Sequence, residues 1–431
     1  MNTTRREVIL GALFGAGSIG LRALATGLPA SILLNPRASL ADACADRERA
    51  QFLIWATSGS GDPANANMPG TYDDPGIAHP QDAAMTPTPM MLSGKAYTAA
   101  KPWASLPQPI LDRACFFHHT TLTNSHANES KVLRLMGAVK RQEMLLSMLS
   151  QKLAPCLGTV QQEPASISGE LISFGGRILP ALTPVGLRDV FVSPKNPLTN
   201  LQALRDADLD RISRVLKESG NATQRAFLDR MAQSTRELRN ISDSLLGNLA
   251  TIKANDMEGQ LIAAVALIQM GVCPASVINI PFGGDNHTDA NLARESAQTV
   301  AGVATINNLM TKLAAAGLQD RVTFVMMNVF GRTLNRPLRM GRDHLGSHHC
   351  SVLIGKRVRG SVVGGVVKSG NDYAATPIDS RTGLPGGSAD IRYEETLAAV
   401  GKTIGAAVGI SPEVLSDQIT LGKVVSAALV S

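Results

Sequence analysis

Short apolar runs bounded by turn residues alternate along this chain with longer segments whose apolar positions recur at helical spacing. Gln51–Ala56 and Ala114–His118 read as buried strands. So do Ser276–Pro281, Arg321–Phe330 and Ser351–Ile354. The spacing predicts helices over Ser125–Lys140, capped at Asn124 or Ser125, over Met257–Met270 and over Ala290–Ala316. Strand, helix, strand is the signature of a parallel sheet, so the expected class is α/β, with a mostly parallel central sheet flanked by helices. Residues 198–254 carry helical periodicity broken at Gly220-Asn221, which predicts a helical insertion packed as a cap. Residues 63–109 are rich in proline, alanine and small polar residues and read as a surface-wrapping loop.

The first forty residues have a different pattern. Arg5-Arg6 precede an apolar stretch from Val8 to Leu34, and that stretch contains five glycines, Pro29 and Arg22. It is long enough for a membrane span but only moderately hydrophobic. A basic start, a soft apolar middle and the small-residue site Ala41-Asp42-Ala43 read as an export signal, and the paired arginines point to the twin-arginine route. The expectation is a signal peptide over residues 1–43 that engages the twin-arginine translocase. A single mature domain over 44–431 would follow, periplasmic or secreted, with no stable membrane span after processing.

Composition narrows the function classes. Aromatics are 4%, which argues against stacking platforms for sugars or bases. The mature stretch would carry 37 basic and 33 acidic residues, too mild and dispersed a balance to argue for nucleic acid. Five cysteines at 44, 115, 156, 273 and 350 form no C-x-x-C pair, which excludes a zinc ribbon. Their pairing is open.

Polar chemistry gathers at four predicted strand ends, where open α/β sheets bind ligands. The first is Asp62. The second runs from His118-His119-Thr120-Thr121 to Ser125-His126. The third is Asp285-x-His287. The fourth is Arg342-Asp343-His344 with His348-His349. Most of the eight histidines fall in these places, beside carboxylates that with them can ligate zinc or manganese. The plainer alternative is that each pair caps a helix or satisfies loop backbone. From Arg332 to Lys368 there are eight basic residues against the one acid Asp343, a run that would attract phosphate or sulfate esters, the alternative being a solvated loop or a contact with anionic envelope lipid.

Phe330-Gly331-Arg332-Thr333, Gly341-Arg342-Asp343-His344, Val352-Leu353-Ile354-Gly355 and Arg359-Gly360 with Gly364 together resemble the domain of unknown function 1501 family. Asp285-Asn286-His287 is similar to its Asp-Thr-His motif, Gly59-Ser60-Gly61-Asp62 to its N-terminal turn, and Ser125-His126 to its Ser-His motif. The resemblance implies an alkaline-phosphatase-like fold with metal ligands at strand ends. By that analogy Asp285, His287 and His344, with Asp343 beside them, would hold a divalent zinc, manganese or calcium ion. Asp62 and a nucleophile such as Ser125 would serve a second site, and Arg332 or Arg342 would balance charge. The implied activity is metal-dependent hydrolysis of a small anionic ester of phosphate or sulfate. Two departures stand out. Val329, preceded by Asn328, occupies the position of the family's acid, and the glycine expected after Asp-His is displaced to Gly346. Both favour the competing expectation, a non-catalytic binding or assembly protein of the cell envelope on the same fold.

Overall fold

The buried runs are apolar at nearly every position, so neither face of the sheet they form can be left to water. The computed structural model describes residues 47–159, 161–192, 243–282, 284–335 and 341–430, with isolated positions between 211 and 225. The expected signal, residues 1–43, and residues 198–242 of the expected insertion (save those isolated positions) lie outside the described residues. Among the described residues, no helix is long and apolar enough to cross a membrane.

Seven strands build the central sheet. They are β1 (Phe52–Ala56), β2 (Ala114–His119), β3 (Ala165–Ser166), β4 (Ala275–Ile278), β5 (Val322–Met326), β6 (His349–Ile354) and β7 (Ser361–Val363). Their order is β7-β2-β6-β5-β1-β4-β3. All run parallel except β6, which is antiparallel to both β2 and β5. The pleat sends Phe52, Ile54 and Ala56 into one apolar cluster and Leu53 and Trp55 into the other. Helices α2 (Met257–Gln269) and α3 (Ala293–Ala315) cover the first face through Leu261, Leu267, Val303, Ile306 and Leu309. Helices α1 (Leu145–Leu157) and α4 (Thr396–Ala407) cover the second through Leu146, Leu149, Val400 and Ile404. The α/β class with a mostly parallel sheet is therefore as expected.

Two local expectations fail for packing reasons. The helix expected over Ser125–Lys140 is broken into short turns at His126–Asn128, Glu129–Val132, Leu135–Gly137 and Lys140–Gln142, with left-handed backbone at Met136 and Arg141. Val132, Leu133, Leu135, Ala138 and Val139 all enter the second core. On one straight helix those positions would point around more than half the circumference, so only a broken path buries them all. Residues 63–109 are not a surface wrap. They supply the hairpin Pro87–Leu92/Lys95–Ala100, and Trp103 stacks on Phe282 with ring centroids 5.7 Å apart. Among the described cysteines, Cys115, Cys273 and Cys350 are free and buried, and Cys156 is disulfide-bonded.

The antiparallel strand has a topological consequence. Because β6 enters the sheet from the edge where the others leave it, residues preceding β6 meet those following β1, β2, β4 and β5. All four polar stretches therefore share one edge. Helix α3 starts there, and its Glu295 takes a bidentate bond from Arg342 (Nε to Oε2 2.7 Å, Nη2 to Oε1 3.1 Å), with both side chains fully buried. Truncating one partner would leave an uncompensated buried charge. Arg342→Ala and Glu295→Ala should each lower the unfolding free energy by about 3–5 kcal/mol, read by urea denaturation. Near-native stability of either would overturn the assignment of this pair as the anchor of the edge.

Candidate functional site

Strand β1 ends in a turn that Gly61 makes at φ +67°, where an added Cβ would strike the Phe330 ring 2.4 Å away. The turn delivers Asp62 in extended backbone. Its Oδ1 accepts from the Ala64 N–H at 3.0 Å and its other oxygen accepts from the Asn328 amide. Burial raises the Asp62 carboxyl to about 7, against the Ala64 bond and the Arg332 charge. Asp62 lines a cleft of about 270 Å³ with Ser58, Ser60, Asn328, Asp285 and Arg294.

Asp285 and His287 follow β4. Arg342, Asp343 and His344 pair back onto that turn through Gly341 N–H to His287 O (2.8 Å) and Arg342 N–H to Asn286 O (3.2 Å). Gly341 is required for this approach, since a Cβ there would lie 1.8 Å from the Asn286 oxygen. The side chains converge as a result. The Nε2 atoms of His287 and His344 are 2.9 Å apart, and Asp285 Oδ1 is 3.3 Å from the same His287 nitrogen. Arg332, with its side chain buried, sets Nη1 3.4 Å from His287 Nε2 and 3.5 Å from Asp285 Oδ1, and its Nη2 donates to Ser60 O at 2.7 Å.

The partners fix the tautomers. His344 Nδ1 lies 2.6 Å from the Asn124 carbonyl, which can only accept, so that nitrogen carries the proton. Burial lowers the His344 pKa, opposed by the Asn124 bond and aided by Arg332, and in the neutral ring Nε2 is the lone pair. His287 Nδ1 faces Asp343 Oδ1 at 3.0 Å and donates to it. A neutral His287 would then aim a second lone pair at the first. Two lone pairs at 2.9 Å repel unless a cation sits on one of them, either a proton or a metal ion. Among the described residues, no group of three or more His, Cys, Asp or Glu is spaced as a ready metal cage. With the two nitrogens 2.9 Å apart, an ion shared between them would require the rings to part. Asp343, expected as a ligand, stands on the far side of the His287 ring and orients it.

The other expected positions separate. Ser125 is exposed and sits between Asn124, which holds His344, and His126, which donates from Nδ1 to Gly59 O at 2.7 Å. It does not line the Asp62 cleft. Arg342, expected to balance charge at the site, is a scaffold residue: its guanidinium donates to Glu295, to the carbonyls of Thr333 and Leu334, and to that of Ala78. The basic run also disperses. Lys356 pairs with Asp320 at the opposite edge of the sheet, Lys368 lies on the hairpin Val366–Ser369/Asp372–Ala375, and Arg336 and Arg339 lie outside the described residues. Of that run, Arg332 is the described residue whose side chain reaches the converging histidines.

Four histidines take the plainer reading. Asn65 donates to His348, whose Nε2 donates to His118 Nδ1 at 2.9 Å, and His118 Nε2 donates to Pro69 O at 2.8 Å. His119 donates to Thr120 O and accepts from Ser351, and His349 accepts from the Asn328 N–H. Burial pushes His118 and His119 down to about 4, and His348 and His349 well below their ordinary value. The unfolded chain binds protons at these rings from about pH 6.5 downward, whereas the folded state resists them until about 4. Their contribution is complete above pH 6.5 and is lost as pH falls. Asp62 and Glu129, both raised to about 7 chiefly by burial, act in the opposite sense, as do Glu170 and Asp372, while His79, which burial lowers to about 4, adds to the histidine side and tips the balance. Urea midpoints should fall between pH 6.5 and 4. A midpoint that rises through this window would overturn the neutral-histidine assignment.

Sequence reasoning missed Asn328, Glu129 and Glu295. Alternation past the end of β5 is the signal that finds Asn328: Met327 and Val329 enter the second core, so Asn328 faces the cleft. Position 329 is thus a core position, and Val329→Glu should cost about 3 kcal/mol or more rather than restore a ligand. Asn328→Asp should be tolerated better and should gain stabilisation from added zinc or manganese, read as a shift in urea midpoint. The reverse order would overturn this facing.

No curated protein matches the chain. Residues 197–382, which contain Asp285, His287, Arg332, Arg342, Asp343 and His344 but not the Asp62 turn or Ser125-His126, match the family described as Protein of unknown function (DUF1501).

Proposed function

We propose that the protein is an exported, metal-dependent hydrolase of phosphate or sulfate esters on an alkaline-phosphatase-like α/β fold. The observation that carries this reading is the approach of the His287 and His344 Nε2 atoms to 2.9 Å, with Asp285 Oδ1 3.3 Å from the former. Asp285, His287 and His344 would hold the ion, and two nitrogens with one carboxylate suit zinc or manganese better than calcium. A divalent ion bound there would supply Lewis-acid polarisation of an ester oxygen.

The remaining roles belong to the chain. Asp343 holds the His287 tautomer, and the Asn124 carbonyl holds that of His344. Arg332, fixed by Ser60 O, presents a buried positive charge to an anionic group entering above Asp285. Ser125 is exposed, adjoins His126 in sequence, and is the candidate nucleophile implied by the resemblance. The Asp62 carboxyl, raised to about 7, can hold or release a proton near neutral pH. Export through the twin-arginine route is supported by Arg5-Arg6 and by the disulfide at Cys156, since such bonds persist in oxidising compartments.

One observation favours the second reading, a non-catalytic envelope protein. Asn328 rather than an acid stands beside Asp62, so the second cation position implied by the resemblance lacks an anionic ligand. The first reading predicts about one zinc or manganese per chain in the mature protein purified without chelator, lost in Asp285→Ala/His344→Ala, with metal-dependent turnover of aryl phosphate or sulfate esters. Bound metal without turnover would move the assignment to the second reading, and no metal in either protein would overturn the centre itself.

A further inference from the structure

We infer that the cleft beside Asp62 binds a small α-amino-acid-like zwitterion, with its ammonium group at the buried base on Asp62 and Asn328 and its carboxylate at the rim on Arg294. The cleft needs no metal ion for this, so the assignment is independent of the centre at Asp285. The base is short of donors. Asp62 is buried, and its two oxygens take one hydrogen bond each, from the Ala64 N–H and the Asn328 amide. A carboxylate oxygen has room for a second. Asn328 is also buried, and its Oδ1 has no partner. A buried acceptor left unpaired is costly unless something donates to it. An ammonium group brings three donors and a positive charge to these two side chains, whereas a hydroxyl brings one donor and no charge. Burial raises the Asp62 carboxyl to about 7, so a cation seated beside it draws off its proton near neutral pH.

The rim has the opposite polarity. Arg294 and Gln298 stand four residues apart in the first turns of α3, hence on one face of that helix, and both line the cleft. Arg294 is exposed and donates Nη1 to the Asp285 carbonyl at 3.0 Å, which holds its head at the mouth. A guanidinium carries five donors, so the others can serve a carboxylate. Charge agrees with this division. Asp62 and Asp285 line the cleft with Arg294, and Arg332 sets Nη1 3.5 Å from Asp285 Oδ1. Two groups of each sign give a lone cation or a lone anion no net attraction, but a ligand with one charge of each sign meets a partner at both ends. The volume of about 270 Å³ lies below that of drug-sized sites, and the wall at Ile280 and Phe282 suits a short apolar side chain.

L-Alanine, L-lactate and ethylamine separate the two ends. Lactate replaces only the ammonium group by a hydroxyl, and ethylamine lacks the carboxylate. The mature protein is titrated with each by calorimetry at pH 7, in two buffers of different ionisation heat and with chelator present, so that chelation of a bound ion cannot imitate binding. L-Alanine should bind at least about tenfold more tightly than either analogue. It should also release up to about half a proton from Asp62 on binding, and lactate should release none. Arg294→Gln, at an exposed position, should weaken alanine binding at least about tenfold with the urea midpoint unchanged. No binding of alanine, equal binding of lactate, or alanine binding without proton release would each overturn the assignment. So would an Arg294→Gln variant that binds alanine as the native chain does. The centre at Asp285 is read separately by metal content, so either can fail while the other stands.

Discussion

The Arg342–Glu295 pair is the constraint on which the site edge depends. Two fully buried charges are tolerable because each is satisfied several times over: Arg342 by Glu295 and three carbonyls, Glu295 by Arg342 and the amides of Asn67 and Asn286. Those bonds reach five stretches of chain: the loops at Asn67 and Ala78, the turn after β4, the start of α3, and the segment at Thr333-Leu334. Glu295 also lies in the first turn of α3, where the helix dipole favours a negative charge. The pair therefore locks together the loops that deliver Asp285, His287 and His344, without itself entering the chemistry.

A rigid frame of this kind makes the close approach of two imidazoles tolerable. His287 and His344 each have their outer nitrogen committed to an oxygen, so neither ring can turn away from the other without losing a bond. The geometry stores a demand for positive charge at one point, and Arg332 close by limits how readily a bare proton satisfies it. The buried histidines His348 and His118 show the contrast. Along Asn65–His348–His118–Pro69 every donor meets an acceptor, no lone pairs clash and no cation is called for. Residue type is the same in both groups; hydrogen-bond polarity separates structural histidines from candidate ligands.

That distinction explains how much was legible in the sequence. The strands announced themselves because a doubly covered sheet needs uninterrupted apolar runs, and β1, β2 and β5 fall within a few residues of the expected bounds. The gathering of polar stretches at one edge was legible too, from turn residues following strands. The fates of individual side chains were not. Arg342 and Arg332 sit ten residues apart in one basic run, yet one is spent on Glu295 and the other reaches His287. Periodicity suggested a helix through Ser125–Lys140, but five side chains needing burial on incompatible sides broke it. Burial of one charge against a residue distant in sequence, and competition between local propensity and core filling, are tertiary effects that no local pattern encodes.

Positions 328 and 329 carry the same lesson to the boundary between enzyme and relic. Aligned by motif, Val329 replaces an acid and suggests a lost ligand. Read by pleat, Val329 is a core residue whose side chain belongs with Met327, and Asn328 is the residue offered to the cleft. Its amide pairs with Asp62, and its carbonyl oxygen is buried without a partner. Burial raises the Asp62 carboxyl to about 7 while the donated amide hydrogen favours its ionised form, and an uncharged amide gives a second hard cation no additional anionic ligand. The Asp285 half, with its facing imidazoles, favours a positive charge. The edge is therefore asymmetric, with two imidazoles beside Asp285 on one side and a buried carboxyl beside an uncharged amide on the other. The one-ion centre proposed at Asp285 fits that asymmetry better than two equivalent metal sites would.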